Sequence, residues 1–249
     1  MSIESHADLQ GLQQASFVAC HTLDALEPHV VPGVTTDELD RRAAQVFAEY
    51  GGRSAPALEY GFPGTILISV NDEVVHGVPG PRVLEDGDLV TLDVTVDVEG
   101  YVADTARTLI VGRGSREARA LRACASAAFE AALRVVRAGT PVNAIGREVE
   151  RVVDGRGFRV IRELCGHGVG RRIHEAPTVP NYYNRRQRDV LTEGLVITIE
   201  PLICAGTGQV VLAADGWTIR TTDGSLAAHH EHTVVVTRDR PIVLTAHAA

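Results

Sequence analysis

The most regular stretch of the chain is VTLDVTVDVEGYVADT, residues 90–105. Val90, Leu92, Val94 and Val96 alternate with Thr91, Asp93, Thr95 and Asp97, which is the period-two signature of a strand with one apolar face. Gly100 lets the chain turn, and Asp104 arrives on the returning strand. A two-residue loop at Val98–Glu99 would set Asp93 directly across from Asp104. Taken alone, such acids read as the solvated face of an antiparallel sheet.

Longer periodicities surround this hairpin. Residues 5–29 and 36–50 read as helices, the second with a Thr/Asp start and a Gly51-Gly52 stop. Strands are expected around 65–70, 88–97 and 101–111, then helices over 115–138 and 142–154, the latter ending before Gly155. Further strands are expected at 158–162, 194–200, 208–213, 217–221 and 230–236.

The order of two helices followed by strands occurs twice, and the two copies align. Gly33 matches Gly139, Leu39 matches Ile145, Arg41 matches Arg147 and Gly51 matches Gly157, each 106 residues apart. GDLVTLD (87–93) lies over GLVITIE (194–200) at an offset of 107. A near-constant offset over two element types indicates an internal duplication. The predicted architecture is therefore α/β (α+β): one domain over 1–249, built of pseudo-repeats at about 1–112 and 113–249.

This alignment pairs Asp93 with Glu200. Glu200 sits among Ile197, Ile199, Leu202 and Ile203, where open water is not expected. A buried carboxylate must be paired, hydrogen-bonded or neutralised, and two facing each other call for a cation between them. The solvated-face reading of Asp93 weakens accordingly.

Three further stretches add candidates. CGHGVGRRIHEAP (165–177) sets His167 in a glycine-rich loop, with His174 seven residues on. HHEHTVVV (229–236) places Glu231 on the same strand face as Thr233, with His230 and His232 on the other. A His-rich metal tract is the competing reading there, but only one of the three histidines can lie beside Glu231 without a bulge. SVNDEVVHGVPG (69–80) holds His76 before a Gly-Val-Pro-Gly turn, with Asn71 able to brace the loop. Asp93, Asp104, His167, Glu200 and Glu231 make an oxygen-rich set that suits Mn²⁺, Fe²⁺, Co²⁺ or Zn²⁺ better than copper. Four carboxylates exceed the charge of one divalent ion, and a metal pair about 3.5–4 Å apart with bridging carboxylates fits the count.

Composition narrows the function classes. A net charge of −8 and a pI near 5.7 argue against sequence-independent nucleic-acid binding. No apolar run approaches the ~18 residues needed to span a bilayer, and no signal peptide is visible at the start. Cys20, Cys124, Cys165 and Cys204 are scattered, with no zinc-knuckle or disulfide spacing, so the expected compartment is the reducing cytoplasm.

The motifs NDEVVHGVP, TLDVTVDVEGYVADT, CGHGVGRRIHEAP, ITIEP, DGWTIRT and HHEHTVVVT together resemble the type I methionine aminopeptidases of the short bacterial form, over nearly the full length. The resemblance implies a single catalytic domain over 1–249 with the duplicated "pita-bread" fold, its two halves around a central antiparallel sheet, and a monomer. It implies two divalent ions (Co, Mn, Fe or Zn) held by Asp93, Asp104, His167, Glu200 and Glu231, with Asp93, Asp104 and Glu231 bridging or bidentate. It also implies a metal-bridging hydroxide that attacks the first peptide bond, with Glu200 taking the proton. His174 would stabilise the oxyanion, and His76 would meet the scissile nitrogen. The substrates implied are nascent polypeptide N-termini at the ribosome.

The methionine pocket implied is formed by Phe62, Leu67, Ile173 and Trp217. Family members often carry Cys at Pro56, Tyr at Phe62, Cys at Leu67 and Phe at Ile173, so the pocket stays apolar with altered walls. Alternatives are a pita-bread aminopeptidase or dipeptidase with another first-residue preference, and a non-catalytic binding module of the same fold. The presence of all five ligand positions speaks against the last.

Overall fold

The computed structural model describes residues 1–246. Its helices are α1 (His6–Leu26), α2 (Thr36–Tyr50), α3 (Ala55–Tyr60), α4 (Arg116–Leu133) and α5 (Asn143–Gly155). Its strands run in chain order as β1 (Arg53–Ser54), β2 (Leu67–Val70), β3 (Glu73–Val75), β4 (Leu89–Val98) and β5 (Tyr101–Ile110). They continue as β6 (Arg159–Val160), β7 (Cys165–Gly168), β8 (Glu175–Pro180), β9 (Val196–Ile199) and β10 (Leu202–Cys204). The last are β11 (Val210–Leu212), β12 (Ile219–Thr221), β13 (Ala227–Val235) and β14 (Ile242–Val243).

Local chemistry fixes the helix ends. The Thr35 hydroxyl accepts the Glu38 N–H at the start of α2, and Gly51 closes it in the left-handed region at φ 71°. Ser115 caps α4 in the same way. That helix stops at Leu133 rather than 138: Val135 and Val136 follow in tight turns, and the Ala138 N–H leaves to bond Thr237 O at 2.8 Å.

The main sheet runs β1-β4-β5-β13-β9-β7-β8, with β2 added on β4, β10 and β14 on β13, and β6 on β10. β3, β12 and β11 form a separate three-stranded sheet. Val90, Leu92, Val94 and Val96 of β4 enter one core with Leu23, Leu39 and Phe47 of α1 and α2. Ile197, Ile199 and Val234 of β9 and β13 enter another with Leu121, Phe129 and Val149 of α4 and α5. The sheet thus carries a helix pair against each half, and the polar positions of β4, β5 and β13 are left for the site.

Two local expectations are corrected. The β4–β5 loop is Glu99–Gly100, not Val98–Glu99, because Val98 pairs with Tyr101. Both loop residues have positive φ, 51° and 79°, which a primed hairpin turn requires and β-branched Val98 would resist. Asp104 therefore sits opposite Thr95, and Asp93 opposite Ala106: the two acids share a face diagonally rather than directly. His167 lies in strand β7, not in a loop, since the glycines around it let β7 pack tightly against its neighbours. A Cβ on Gly166 would come within 2.7 Å of Thr198 O, and one on Gly168 within 2.2 Å of Ala176 O.

Candidate metal centre and active site

The sheet brings together all five predicted ligand positions. Asp93 comes from β4, Asp104 from β5, His167 from β7 and Glu231 from β13, while Glu200 follows β9; every one is buried. His167 Nε2 lies 3.4 Å from Glu200 Oε1 and 3.9 Å from Asp104 Oδ2. Its Nδ1 faces Gly168 O at 2.9 Å, and a carbonyl can only accept. The proton therefore belongs on Nδ1, leaving the Nε2 lone pair turned to the carboxylates.

Hydroxyls hold the acids in place. Thr95 donates to Asp104 Oδ1 at 2.8 Å across the hairpin. The Thr198 hydroxyl accepts the His167 N–H at 3.0 Å and donates to Glu200 Oε1 at 2.8 Å, while Asn181 Nδ2 donates to Glu200 O at 2.8 Å. Such outer partners orient ligand groups.

The electrostatics call for a cation. Burial first, then the neighbouring carboxylates, hold Asp93, Glu200 and Glu231 well above the usual carboxylate range, and burial lifts Asp104 to about 7. Asp93 Oδ1 and Glu231 Oε1 are buried without a hydrogen-bond partner. Two donor groupings could hold a metal ion, Asp93 with His229 and Glu231, and Asp104 with His167 and Glu231. In each the donor atoms lie within 4.8 Å of one another, and Glu231 belongs to both. These oxygen-rich donors fit a borderline divalent ion.

His229 is the residue that sequence reading left unassigned. It is buried beside the carboxylates, with Nε2 3.4 Å from Glu231 Oε2 and 3.8 Å from Glu200 Oε2. The signal was strand parity, since two residues before Glu231 is the same face. His230 and His232 do point the other way, with their rings against Phe129 at 5.4 and 4.8 Å.

Two cavities meet at these groups. One of about 410 Å³ is lined by Phe62, Leu67, Ile173 and Trp217 and reaches Asp93, Asp104, His167, Glu200 and Glu231. Phe62 and Trp217 meet edge to face at 5.3 Å. The other, about 700 Å³, shares His76, His167, His174 and Glu200 with the first. His76, held at φ 59°, and His174 thus stand between the two. Burial, then the nearby His174, pushes the His76 imidazole down to about 4, so its ring is neutral near pH 7. Asn71 braces this loop: its amide donates to Asp88 Oδ1 at 2.8 Å and its carbonyl accepts the Leu89 N–H at 2.9 Å. No helix among the described residues is long and apolar enough to cross a membrane.

A buried carboxylate and imidazole cluster, open to an apolar cavity on this duplicated α/β frame, defines a metal-dependent hydrolase of the pita-bread class. Residues 10–238 match the model of metallopeptidase family M24, and the chain belongs to that family. It is 39% identical over 247 residues to methionine aminopeptidase 2 of Bacillus subtilis, spanning 98% of this chain and 99% of that one. It is 38% identical over 247 residues to the methionine aminopeptidase of Escherichia coli K12, spanning 98% and 94%. The crystal structure of methionine aminopeptidase from Rickettsia prowazekii superposes with a TM-score of 0.94 at 35% identity, covering 99% of this chain and all of that one.

Proposed function

We propose that this chain is a methionine aminopeptidase: a single catalytic domain of two pseudo-repeats that removes the first methionine from nascent polypeptides. The observation that carries the reading is the apolar cavity of about 410 Å³ opening onto two donor groupings that share Glu231. Asp93, Asp104, His167, Glu200 and Glu231 would hold two divalent ions from among Co, Mn, Fe and Zn. When bound, such ions polarise a carbonyl and bring a coordinated water toward ionisation at neutral pH.

The chain's own groups do the rest. Phe62, Leu67, Ile173 and Trp217 receive the unbranched thioether and align the first peptide bond with the acids. The carboxylates around Asp93 favour the substrate's free α-amine. Glu200, steadied by Thr198, takes up the proton lost from the attacking water. His174 donates to the developing oxyanion, an interaction stronger in the transition state than in the ground state. His76 hydrogen-bonds the scissile nitrogen from the other side. The larger cavity beyond the histidines accommodates the following residues.

The test is a panel of tripeptides differing only at residue one, assayed at fixed metal. Met-Ala-Ser is expected to be cleaved and Lys-Ala-Ser left intact. A chain that prefers Ala or Lys at residue one would keep the peptidase chemistry and lose the methionine assignment.

A further inference from the structure

Strand β13 carries His229 and Glu231 on one face, and the backbone of His229 is locked by Thr108, whose hydroxyl accepts its N–H at 2.9 Å and donates to its carbonyl at 2.7 Å. The imidazole has no freedom to swing out to solvent, as the residue is 1% exposed. Neither ring nitrogen has a hydrogen-bond partner. Buried polar groups almost always find one, so a ring with both nitrogens unmatched needs an explanation.

For Nε2 distances supply it. Nε2 lies 3.4 Å from Glu231 Oε2 and 3.8 Å from Glu200 Oε2, beyond the span of an N–H···O hydrogen bond. Two donors each about 2.1 Å from one ion, at 90–110° to each other, lie about 3.0–3.4 Å apart. The spacing to Glu231 is that of two groups sharing an ion, and Asp93, one of whose carboxylate oxygens is also buried without a partner, completes the grouping.

We infer that His229 is a sixth metal ligand, binding the ion held by Asp93 and Glu231. The inference rests on the reading of those two acids as a metal site. Asp93–His229–Glu231 then mirrors Asp104–His167–Glu231, with one imidazole at each position instead of one for the pair. The added nitrogen shifts preference at the Asp93 position away from Mn²⁺ toward Co²⁺, Zn²⁺ and Fe²⁺.

Cobalt(II) alone, titrated into chelator-stripped full-length protein, tests this by proton NMR. Imidazole N–H protons on cobalt ligands are strongly shifted by the paramagnetic ion and exchange with solvent. The fully loaded wild-type protein is expected to show two such resonances, and His229→Gln and His167→Gln one each. One of the two cobalt dissociation constants should rise about 10- to 100-fold in His229→Gln. Two bound cobalt ions with a single shifted N–H in the wild type would overturn the role of His229 while leaving the acid cluster as a metal site. Absence of cobalt binding to the wild type would overturn both. The wild-type spectrum decides the matter even if the variants fold poorly.

Discussion

The Tyr60 hydroxyl lies 2.7 Å from Nδ1 of His174, joining the end of helix α3 to the histidine that stands between the two cavities. The preceding residue makes the parallel contact, since Glu59 Oε1 accepts the Ile173 N–H at 2.9 Å. Burial, and then Glu59, raises the Tyr60 phenol above its ordinary range, which keeps it neutral and able to donate. With the phenol donating, the ring proton of His174 resides on Nε2, the nitrogen left to meet an oxyanion. Tyr60→Phe removes that bias without removing the ring. A hydrogen bond of this kind is worth about 0.5–1.5 kcal/mol net, so kcat should fall about 2- to 12-fold with KM nearly unchanged. A fall confined to KM would assign Tyr60 to substrate binding instead.

His174 itself should show a larger effect. Its replacement by Ala is expected to lower kcat by about 10²–10³-fold, the cost of one oxyanion donor. Metal content should stay at the wild-type level, because His174 belongs to neither donor grouping. Elemental analysis of the purified variant checks this, and loss of metal in step with activity would show that the histidine has been misplaced.

For Glu200, charge and proton acceptance are both at stake. Glu200→Gln keeps the shape and the contact with Thr198 but can do neither, so kcat should drop at least about 10²-fold. Thr198→Val leaves the carboxylate and removes the hydroxyl that joins Glu200 to the His167 backbone. It should cost about 10-fold in metal affinity, read by calorimetric titration. Near-wild-type turnover in Glu200→Gln would end its assignment as the proton acceptor.

How much of this was legible beforehand follows from which forces are local. Periodicity placed α2 at its observed residues and β4 and β5 within a residue of theirs, because their patterns, caps and turns lie within the segment. β7 and β8 were invisible: CGHG and EAPTVP alternate nothing, and their pairing comes from sheet neighbours distant in sequence. The hairpin was offset by one residue, which changed the partner of Asp104 but not its face. Asp93, Asp104, Glu200 and Glu231 stood out because carboxylates set in apolar strands are anomalous wherever they occur, and His167 because glycines surround it. His229 was passed over although strand parity already separates it from His230 and His232, because the HHEH run was weighed only as a whole metal tract. Tyr60 escaped because its partner is 114 residues away.

Metal removal should expose the cost of the acid cluster in a pH-dependent way. In the metal-free fold, burial raises Asp104 from 3.8 to about 7, so its ionisation costs stability as pH rises from about 4 through 7. Asp93, Glu200 and Glu231 are shifted the same way. Below that window protons replace the ion; above it only a cation can neutralise the carboxylates. The drop in Tm on chelation should therefore be larger at pH 8 than at pH 6. Thermal unfolding with and without chelator at the two values measures it. An equal drop at both would mean that the carboxylates do not dominate the metal's contribution.

The pocket offers the sharpest test of specificity. Ile173 is buried in its wall, with its backbone fixed by Glu59, so a side-chain change there reshapes the cavity without freeing the loop. Norleucine replaces the methionine sulfur by a methylene of similar size, and aliphatic Ile173 has no aromatic face with which to tell them apart. The two first residues should thus give kcat/KM values within about tenfold, since a sulfur contact to the remaining aromatic rings, Phe62 and Trp217, is worth only about 0.3–1.5 kcal/mol. Ile173→Phe adds an aromatic edge to the wall beside Phe62 and Trp217. A sulfur–aromatic contact contributes about 0.3–1.5 kcal/mol that norleucine cannot match, so the methionine-to-norleucine ratio should rise about 2- to 12-fold. Simple overpacking would instead lower both values together and leave their ratio fixed. Measuring kcat/KM for Met-Ala-Ser and norleucine-Ala-Ser in both proteins separates the two, and an unchanged ratio would remove Ile173 from the set that reads the side chain.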